Sequence, residues 1–419
     1  MIQAYDRTKD KLFYGWVVVI AFLMINVIIQ GTRHSFGVFF KSLSGEFGLS
    51  RTETSGIYSI YSSLCCLFSF VSGWGADRMS LRMLIGLMGL FTGLSLILTS
   101  QAQSLGQLFL LYSFLFAMGT SGVFVVSTSI IIRWFNRKRG LAIGIATSGQ
   151  GLGTALLAPL AAYLIAVFDW RMSYIVMGMI VLLFVIPMAM LLRKEPGEMG
   201  LLPYGAELSE DQIGGSHRRG GGHPPGGSSL LDAFKSRNFW CLGFVWLLFS
   251  MCLYLVMTHI VPHGTDSGIP TVKAATVLGV IGVMSIPGRL LVGKISDHSD
   301  RKAVAIICEL FVTGTMVWLI YSKSLWMFYL FALVFGFFYG GLSTSVTALI
   351  GDIFGQRSIG VILGALEVGW FLGASLGPLM GGIVYDMTKN YSMAFSISVL
   401  ASMVVTLLLA LTKREVKVD

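Results

Sequence analysis

An arginine inside a long apolar stretch has the clearest chemical consequence in this sequence. Arg289 follows Pro287 and Gly288 in a run that is apolar from about 274 to 295. An ionised side chain near the centre of a membrane helix costs on the order of 2.5–3.5 kcal/mol even on the lenient insertion scale, so it must face a cavity or a partner. The arginine guanidinium is a planar fork of hydrogen-bond donors, and this geometry suits a carboxylate. Arg289 is therefore predicted to bind an anionic ligand, or else to form a permanent salt bridge with Glu309 or Glu367.

Two other side chains in apolar runs can carry a proton. His34 is an imidazole, whose ordinary pKa of about 6.5 lets it change charge in the physiological range. A bound carboxylate favours the protonated ring, and the protonated ring binds the carboxylate more tightly, which is a physical basis for proton coupling. The alternative is a histidine that hydrogen-bonds a loop. Glu367 is a second proton-site candidate, or else a partner for Arg357 near the membrane surface.

Further polar side chains are candidates for lining the same pathway. Tyr339 is predicted to offer its hydroxyl to the ligand, with aromatic neighbours as an apolar wall. Gln30 and Asn26 precede His34 by four and eight residues, which places them on roughly the same helix face. They either line the pathway or pack as polar core residues.

The expected depths of His34 and Arg289 differ. His34 precedes the predicted end of its run by about six residues, or roughly 9 Å of helix, whereas Arg289 lies about 15 residues, roughly 22 Å, from the corresponding end of its own run. A small ligand is therefore expected to contact both only if helices bend, or to use them in sequence.

The elements that position these residues are membrane helices. Mean hydropathy is +0.77, and only 12% of residues are charged, against about 25% in soluble proteins. Crossing about 30 Å of hydrocarbon takes about 20 helical residues, and helices satisfy their own backbone groups in lipid. Twelve apolar runs are long enough, at approximately 14–40, 54–76, 84–101, 105–132, 140–168, 172–192, 238–262, 274–295, 303–322, 324–350, 358–385 and 391–412. The predicted fold class is an all-α membrane protein.

The two halves of the chain repeat each other at an offset of 220 residues. The repeated positions are Gly73 and Gly293, Asp77 and Asp297, Arg137 and Arg357, Gly140 and Gly360, Gly144 and Gly364, Gly149 and Gly369, and Gly153 and Gly373. A parallel duplication in so apolar a chain predicts two pseudo-symmetric six-helix bundles with the ligand site where they meet, near mid-membrane. The predicted domains are 1–192, a linker at 193–236 that is rich in glycine and polar residues, and 237–419.

The charge pattern predicts the orientation of the chain. The net charge is +9, but most lysines and arginines lie at the termini and in the loops on the side of the termini, as the positive-inside rule requires. Both termini are therefore expected to be cytoplasmic, and nucleic acid is not implied as a partner. Five cysteines lie in or beside the runs without metal-ligand spacing. Neither a metal nor another cofactor is expected, and no pattern of catalytic residues suggests an enzyme.

Two loops resemble the signature of the major facilitator superfamily, G-x-x-x-D-R-x-G-x-R. The first runs from Gly73 through Asp77 and Arg78 to Arg82, with Ser80 at the usual second glycine, and the second begins Gly293-Lys-Ile-Ser-Asp297 and continues to Arg301. The resemblance implies the major facilitator fold. The charged residues at these two corresponding loops suit ion pairs that form in one conformation and break in another, a predicted gating role for Asp77, Arg78, Asp297 and Arg301.

Other segments resemble monocarboxylate transporters and their bacterial relatives, which include oxalate/formate exchangers. The matching segments are Tyr14-Gly-Trp-Val-Val-Val, His34-Ser-Phe-Gly-Val-Phe-Phe-Lys41, Glu46-Phe-Gly-Leu-Ser-Arg51-Thr-Glu-Thr-Ser55 and Pro287-Gly-Arg289. The resemblance implies that Arg289 is the substrate-binding arginine. Animal members carry lysine at the position of His34 and aspartate at that of Ser285, so their proton handling does not transfer directly. The oxalate type has a lysine in the eleventh span that this chain lacks, which disfavours a dianion.

Together these features predict a proton-coupled symporter for a small monocarboxylate such as lactate or pyruvate, in a bacterial inner membrane. It is expected to work as a monomer by alternating access, with the anion, H+ and the lipid bilayer as its partners. An exchanger of the formate or oxalate kind is the alternative within transport. A membrane receptor that binds a carboxylate without transporting it is a third possibility, although the linker contains no recognisable signalling domain.

Overall fold

The protein is described here from a computed structural model that covers residues 13–205, 230–354 and 359–412, without the side chains of residues 73, 74, 76, 77, 139, 297, 359 and 360. Within this part of the chain, twelve helices are long and apolar enough to span a membrane. They are α1 (Tyr14–Phe47), α2 (Arg51–Ser72), α3 (Leu81–Thr99), α4 (Leu105–Trp134), α5 (Gly140–Val167), α6 (Trp170–Met190), α7 (Arg237–Asp266), α8 (Thr271–Ser296), α9 (Arg301–Ile320), α10 (Leu325–Phe354), α11 (Val361–Thr388) and α12 (Ser392–Leu411).

The predicted all-α fold with twelve spans is confirmed. Six spans precede residue 206 and six follow residue 229. Two short helical segments, Pro196–Met199 and Leu230–Lys235, lie between α6 and α7, and an isolated bridge joins Phe135 to Tyr204. The domain boundaries at 192 and 237 remain a prediction. We call the two membrane faces the Tyr14 face, where α1 begins, and the Phe47 face, where α1 ends.

The predicted end of the first span at residue 40 is wrong, because the helix continues to Phe47. Lys41 and Glu46 are charged residues beyond the predicted end, and each has a partner on another span. Lys41 pairs with Asp266 at 2.6 Å, and Glu46 pairs with Arg171 at 2.7 Å. Gly48 follows the last helical residue and caps the helix, and its φ of 61° is the left-handed conformation that glycine adopts most easily.

Small residues allow the spans to approach closely, as expected where lipid gives no hydrophobic drive for helix association. A Cβ atom added to Gly31 of α1 would lie 2.5 Å from the carbonyl oxygen of Gly153 in α5. Between the two halves, one added to Gly151 of α5 would lie 2.5 Å from the carbonyl oxygen of Gly282 in α8. The two halves therefore meet along α5 and α8, and the site described below lies beside this contact.

Candidate functional site

Arg289 lies at a local irregularity of α8. The α-helical turns end at Pro287, and residues Gly288–Val292 form a π-helical turn, a feature that often marks functional sites. Gly288 has no side chain, and a Cβ atom there would lie 2.8 Å from the carbonyl carbon of Phe337 in α10. The missing proline N–H and the close approach of α10 together explain why the helix widens here. The irregularity presents Arg289 to the space between the halves.

The Arg289 guanidinium has neutral partners. Nη1 donates to the backbone carbonyl oxygen of Thr147 at 3.2 Å, and Nη2 donates to Oε1 of Gln150 at 3.1 Å and to the hydroxyl oxygen of Tyr339 at 3.5 Å. Nε is buried without a hydrogen-bond partner. Among the residues that the structure describes, no carboxylate forms an ion pair with Arg289. The positive charge therefore has no carboxylate partner in the described part of the chain, and the side chain is only half-buried.

The two acids proposed as permanent partners of Arg289 lie elsewhere. Glu309 of α9 is buried and accepts a hydrogen bond from the Ser402 hydroxyl of α12. Glu367 of α11 is half-buried and lies within electrostatic range of Arg33. The hypothesis of a salt bridge from Arg289 to either acid is therefore wrong for this conformation. The predicted pairing of Glu367 with Arg357 falls outside the described residues.

Tyr339 of α10 lies beside Arg289, and its role as a hydroxyl donor to the ligand remains a prediction. It is buried, and its ring centroid lies 5.8 Å from that of Phe249 and 6.1 Å from that of Phe335. Trp370 of α11 extends the aromatic surface, with its centroid 5.8 Å from that of Phe249. An apolar wall with one hydroxyl group beside a guanidinium is the usual composition of a small-molecule site.

His34 lies where α1 bends. The side chain of Ser35 donates to the carbonyl oxygen of Gly31 at 2.8 Å, a bond to the preceding turn that often bends helices. Nδ1 of His34 lies 2.8 Å from the Thr154 hydroxyl of α5, and Nε2 is buried without a partner. The ring also lies within electrostatic range of Arg33 and Arg289. Nδ1 is thus hydrogen-bonded to a hydroxyl, while Nε2 is available for a hydrogen bond to a ligand.

His34 and Arg289 are closer in depth than their predicted spans suggested. With α1 ending at Phe47, His34 lies about 20 Å from that end of its span, and Arg289 lies about 27 Å from Thr271. Both side chains contact α5, His34 at Thr154 and Arg289 at Gln150. These two positions are one helical turn apart, or about 6 Å along the axis. The two side chains are therefore closer than the predicted spans implied, and whether a small ligand contacts both at once or in sequence remains a prediction.

Asn26 and Gln30 make no hydrogen bond to Arg289 among the described contacts. The Asn26 side chain donates to the carbonyl oxygen of Phe22 in its own helix at 2.9 Å and lies against Gly149 of α5. Gln30 is buried one turn before His34. Asn26 thus belongs to the α1–α5 contact, and its role in binding remains a prediction, as does that of Gln30.

Several residues at this site were not singled out from the sequence. Thr147, Gln150 and Thr154 of α5 form a polar row at spacings of three and four residues, which is one face of a helix. This polar periodicity in the sequence could have identified the row as part of the site. Arg33 is an intramembrane arginine like Arg289, and the same energetic reasoning applied to it. Tyr254 of α7, which lies between His34 and Trp370, carries no such signal.

The two halves are joined at the Phe47 face by a set of polar contacts that we call the Asp266 latch. Asp266 of α7 pairs with Lys41 at 2.6 Å and with Arg51 at 3.1 Å. Asp386 of α11 accepts bonds from the backbone N–H of Thr52 at 2.8 Å and from its hydroxyl at 2.6 Å. These contacts connect α1 and α2 with α7 and α11, so the site is closed off from this face.

The same helices separate toward the Tyr14 face. Gly140 and Gly144 precede Gly151 by 11 and 7 residues and share its face of α5, yet a Cβ atom on either would have no atom of the described residues within 4 Å. On α11, Gly364 likewise meets nothing, whereas Gly382 on the same face packs against Arg51. Among the described residues, the helices of the two halves are thus in close contact at the Phe47 face and further apart toward the Tyr14 face.

The four predicted gating residues lie near the Tyr14 face. The side chains of Asp77 and Asp297 are outside the described part of the chain. Arg301 donates to Asp352 at 2.8 Å and to the carbonyl oxygen of Ala348 at 3.1 Å, both on α10 in the same half. A gating role for these residues, Arg78 included, remains a prediction.

The Asp266 latch leads to a testable prediction about conformational balance. Asp266→Asn removes two ion pairs with partly exposed partners, each worth up to about 1 kcal/mol. A change of one to two kcal/mol shifts a two-state equilibrium by about 5- to 30-fold. We expect the distance between spin labels at exposed positions 45 and 389, measured by double electron–electron resonance, to gain a longer population.

The matched control for this experiment is Asp352→Asn, which removes an ion pair within one half. It should leave the label distances unchanged. Identical distance distributions for Asp266→Asn and the wild type would show that the latch does not hold the Phe47 face closed.

Comparison with known proteins decides the family. The family model described as Major Facilitator Superfamily matches residues 19–319 and 296–418. The chain belongs to the major facilitator superfamily. Among the described residues, no group of three or more His, Cys, Asp or Glu side chains is arranged to hold a metal ion.

Several similar proteins are named monocarboxylate transporters. Monocarboxylate transporter 12 of Rattus norvegicus is 25% identical over 423 residues, covering 96% of this chain and 85% of the relative. Monocarboxylate transporter 4 of Mus musculus is 25% identical over 415 residues, covering 94% and 83%. The chain is therefore a multi-pass membrane transport protein of the superfamily rather than an enzyme.

Solved structures of the superfamily share the fold. A bacterial homolog of the human lysosomal transporter Spinster, in an inward-facing and occupied conformation, has a TM-score of 0.72 at 16% identity, with 96% of each chain covered. A D-xylose–proton symporter has a TM-score of 0.72 at 14% identity, covering 94% of this chain and 97% of that one. At these identities the likeness concerns the fold alone.

Proposed function

We propose that this protein carries a small monocarboxylate, of the size of lactate or pyruvate, together with one proton across a bacterial cytoplasmic membrane by alternating access. The observation that carries this proposal is the Arg289 guanidinium, which lies between the two halves with neutral partners and an unpaired Nε. An anionic cargo supplies the missing counter-charge. The names of the similar proteins support a carboxylate as that anion.

The proposed proton carrier is His34. Its Nε2 atom has no partner, and its Nδ1 atom is held by Thr154, one helical turn from the Gln150 side chain that contacts Arg289. A carboxylate held by Arg289 then stabilises the protonated ring, and protonation strengthens carboxylate binding by the same factor. Glu367 is the second proposed proton site, because it is an acid within a span and lies within electrostatic range of Arg33, the neighbour of His34.

Coupling to one proton makes the transport cycle electrically neutral. An anion alone works against the membrane potential, at about 2.3 kcal/mol per charge for 100 mV. Carried with a proton, it responds to the pH gradient instead. The proposed orientation has both termini and the Tyr14 face in the cytoplasm, following the distribution of lysine and arginine, so this conformation would release cargo inward. The proposed functional unit is the monomer.

The test is uptake of labelled lactate or pyruvate into proteoliposomes that contain only this protein. We expect accumulation when the side from which substrate is added is acidic, and little when the pH gradient is collapsed. Uptake that does not respond to an imposed pH gradient would show that transport is not coupled to a proton.

The same assay separates the alternatives. Strict dependence of uptake on internal counter-substrate would favour an exchanger of the formate or oxalate kind, which the shared N-terminal sequence pattern makes the second candidate. Binding of the acid without any accumulation of label would favour a receptor.

A further inference from the structure

Glu309 is a buried acid in the middle of α9 that the proposed function does not use. The residue is 1% exposed, and its Oε2 atom has no hydrogen-bond partner among the described residues. Its Oε1 atom is hydrogen-bonded to the hydroxyl of Ser402 on α12. The Ser402 hydroxyl lies 2.7 Å from that of Thr313, one turn further along α9, and the Thr313 hydroxyl lies 2.9 Å from the backbone carbonyl oxygen of Glu309. We call this closed set of three contacts the Glu309 ring.

The Glu309 ring has more contacts than the two hydroxyl groups can serve. Ser402 and Thr313 each carry one hydroxyl hydrogen, and an ionised carboxylate only accepts hydrogen bonds. With Glu309 ionised, Ser402 donates to Oε1, and the single Thr313 hydrogen must serve both the Ser402 oxygen at 2.7 Å and the Glu309 carbonyl oxygen at 2.9 Å. A protonated Glu309 supplies the missing hydrogen. Oε1–H then donates to Ser402, Ser402 donates to Thr313, and Thr313 donates to the Glu309 carbonyl oxygen.

No positive charge balances an ionised Glu309 in the described part of the chain. No lysine, arginine or histidine there forms an ion pair with it. The titratable groups within electrostatic range are the thiols of Cys308 on α9 and Cys252 on α7, and neither can be a cation. The α12 helix carries no charged residue from Ser392 to Leu411. A buried carboxylate without a counter-ion is strongly disfavoured relative to the neutral acid.

The cations at the start of α9 have other partners. Arg301 donates to Asp352 of α10, and Lys302 donates to two backbone carbonyl oxygens near the end of α12. Both precede Glu309 by about two helical turns, or roughly 11 Å along the axis. The α10 helix contributes no lysine, arginine or histidine from Leu325 to Phe354. The helices packed against Glu309 therefore favour its neutral form.

We propose that Glu309 is a binding site for a resident proton in the second half of the protein, and that this proton completes the Glu309 ring and joins α9 to α12. The ligand is H+, and the site is separate from His34 and Glu367. Both helices of the ring belong to the second half, and the halves of such a transporter move largely as rigid bodies. The ring therefore stays closed through the transport cycle, and its proton does not travel with the cargo. Such a proton site exists whether or not the protein carries a monocarboxylate.

Infrared spectroscopy of the purified full-length protein, without carboxylate, tests the protonation of Glu309 directly. A protonated carboxyl group has a C=O stretching band that an ionised carboxylate lacks. We expect this band at neutral pH in the wild type, and we expect Glu309→Gln to lose the intensity of one carboxyl group. The controls are Glu367→Gln, which removes another acid within a span, and Glu195→Gln, which removes an exposed acid. Both should keep the part of the band that Glu309→Gln loses.

The dependence of stability on pH gives a second measurement. A free glutamate releases its proton above about pH 4.3, so the unfolded chain binds one proton fewer than the folded protein. Glu309→Gln has no such proton, but its amide N–H can still donate to Ser402. Between about pH 5 and pH 7, the folding equilibrium constant of the wild type should fall relative to that of Glu309→Gln by about tenfold per pH unit. Reversible denaturant unfolding at a series of pH values measures this ratio.

Two further results separate the resident proton from the transported one. In proteoliposomes, Glu309→Gln should keep the wild-type accumulation driven by a pH gradient. Wild-type vesicles that take up no carboxylate would refute the proposed function and would leave the infrared and stability results valid. Ser402→Ala removes the acceptor of the Glu309 proton, so it should shift the Glu309 C=O band without removing it. This variant provides the test if Glu309→Gln does not fold.

Four results would overturn the proposal. Equal band intensity in the wild type and Glu309→Gln would show that Glu309 is ionised. A spectrum that is unchanged in Ser402→Ala would show that Glu309 does not donate to the ring. A stability ratio that is independent of pH would show that Glu309 binds no proton on folding. Loss of pH-driven accumulation in Glu309→Gln, with exchange retained, would make Glu309 the carrier of the transported proton and not the holder of a resident one.

Discussion

Arg289→Ala is expected to abolish carboxylate binding and transport. Truncating one partner of a buried, hydrogen-bonded charge pair costs about 2–5 kcal/mol, which corresponds to a loss of affinity of about 30-fold to several thousand-fold. Arg289→Lys should fail nearly as badly, because a point charge cannot keep the contacts to Thr147 and Gln150 while also binding both carboxylate oxygens. Equilibrium binding and initial uptake rates of purified variants measure this.

The control for Arg289 is Lys273→Ala, which removes a cation from an exposed position near the other end of α8. It should bind carboxylate with wild-type affinity. Wild-type affinity in Arg289→Lys would mean that charge alone matters and that the forked geometry does not. Wild-type affinity in Arg289→Ala would show that the anion binds at another site.

His34→Gln is expected to separate transport of the anion from transport of the proton. Glutamine can keep a hydrogen bond to Thr154, but it cannot take up a proton. We expect the accumulation driven by an imposed pH gradient to fall about tenfold or more, with exchange of labelled for unlabelled carboxylate retained. In the wild type, binding should weaken as the pH rises through the titration of the imidazole, and in His34→Gln this dependence should flatten.

His259→Gln is the matched control, because His259 is also a buried histidine in a span. Its ring bonds to Ser55, the Pro378 carbonyl oxygen and the Tyr391 hydroxyl near the Phe47 face, away from Arg289. The pH dependence of carboxylate binding by His259→Gln should match that of the wild type. An unchanged pH profile in His34→Gln would instead point to Glu367 as the proton carrier.

Hydropathy and duplication predicted the fold because both are averaged over many residues. Twenty apolar residues in lipid have essentially one solution, so the number and order of spans follow from the sequence. The residue at which α1 ends did not follow from the sequence. Lys41 and Glu46 remain helical because Asp266 and Arg171 neutralise them, and those partners lie more than 100 residues away in the chain.

The site was partly predictable for a similar reason. The cost of a charge in hydrocarbon identified Arg289 without any knowledge of its neighbours, and the structure adds that its partners are neutral. The π-helical turn at Gly288–Val292 depends on contact with α10, which no local pattern reveals. The partner of Glu309 depends on how α9 packs against α12, so an acid that appeared available to Arg289 is instead bound by Ser402.

The positions of the polar groups suggest how the two halves share one cargo. Arg33 and His34 come from the bend in α1, Arg289 comes from the widened turn of α8, and the polar row of α5 lies between His34 and Arg289. A ligand that bridges the halves can stabilise an occluded state in which both faces are closed. The Asp266 latch joins the halves at the Phe47 face, which leaves the Tyr14 face as the proposed side of release.

The most direct test of the central claim, that Arg289 takes its counter-ion from the cargo, is thermal unfolding of purified protein with a panel of short-chain acids. A ligand at 100 times its dissociation constant stabilises the folded state by about 2.7 kcal/mol. We predict that monocarboxylates raise the unfolding temperature of the wild type, that the corresponding amides do not, and that Arg289→Ala shows no shift with either. Equal stabilisation of the wild type and Arg289→Ala by the same acid would contradict the claim.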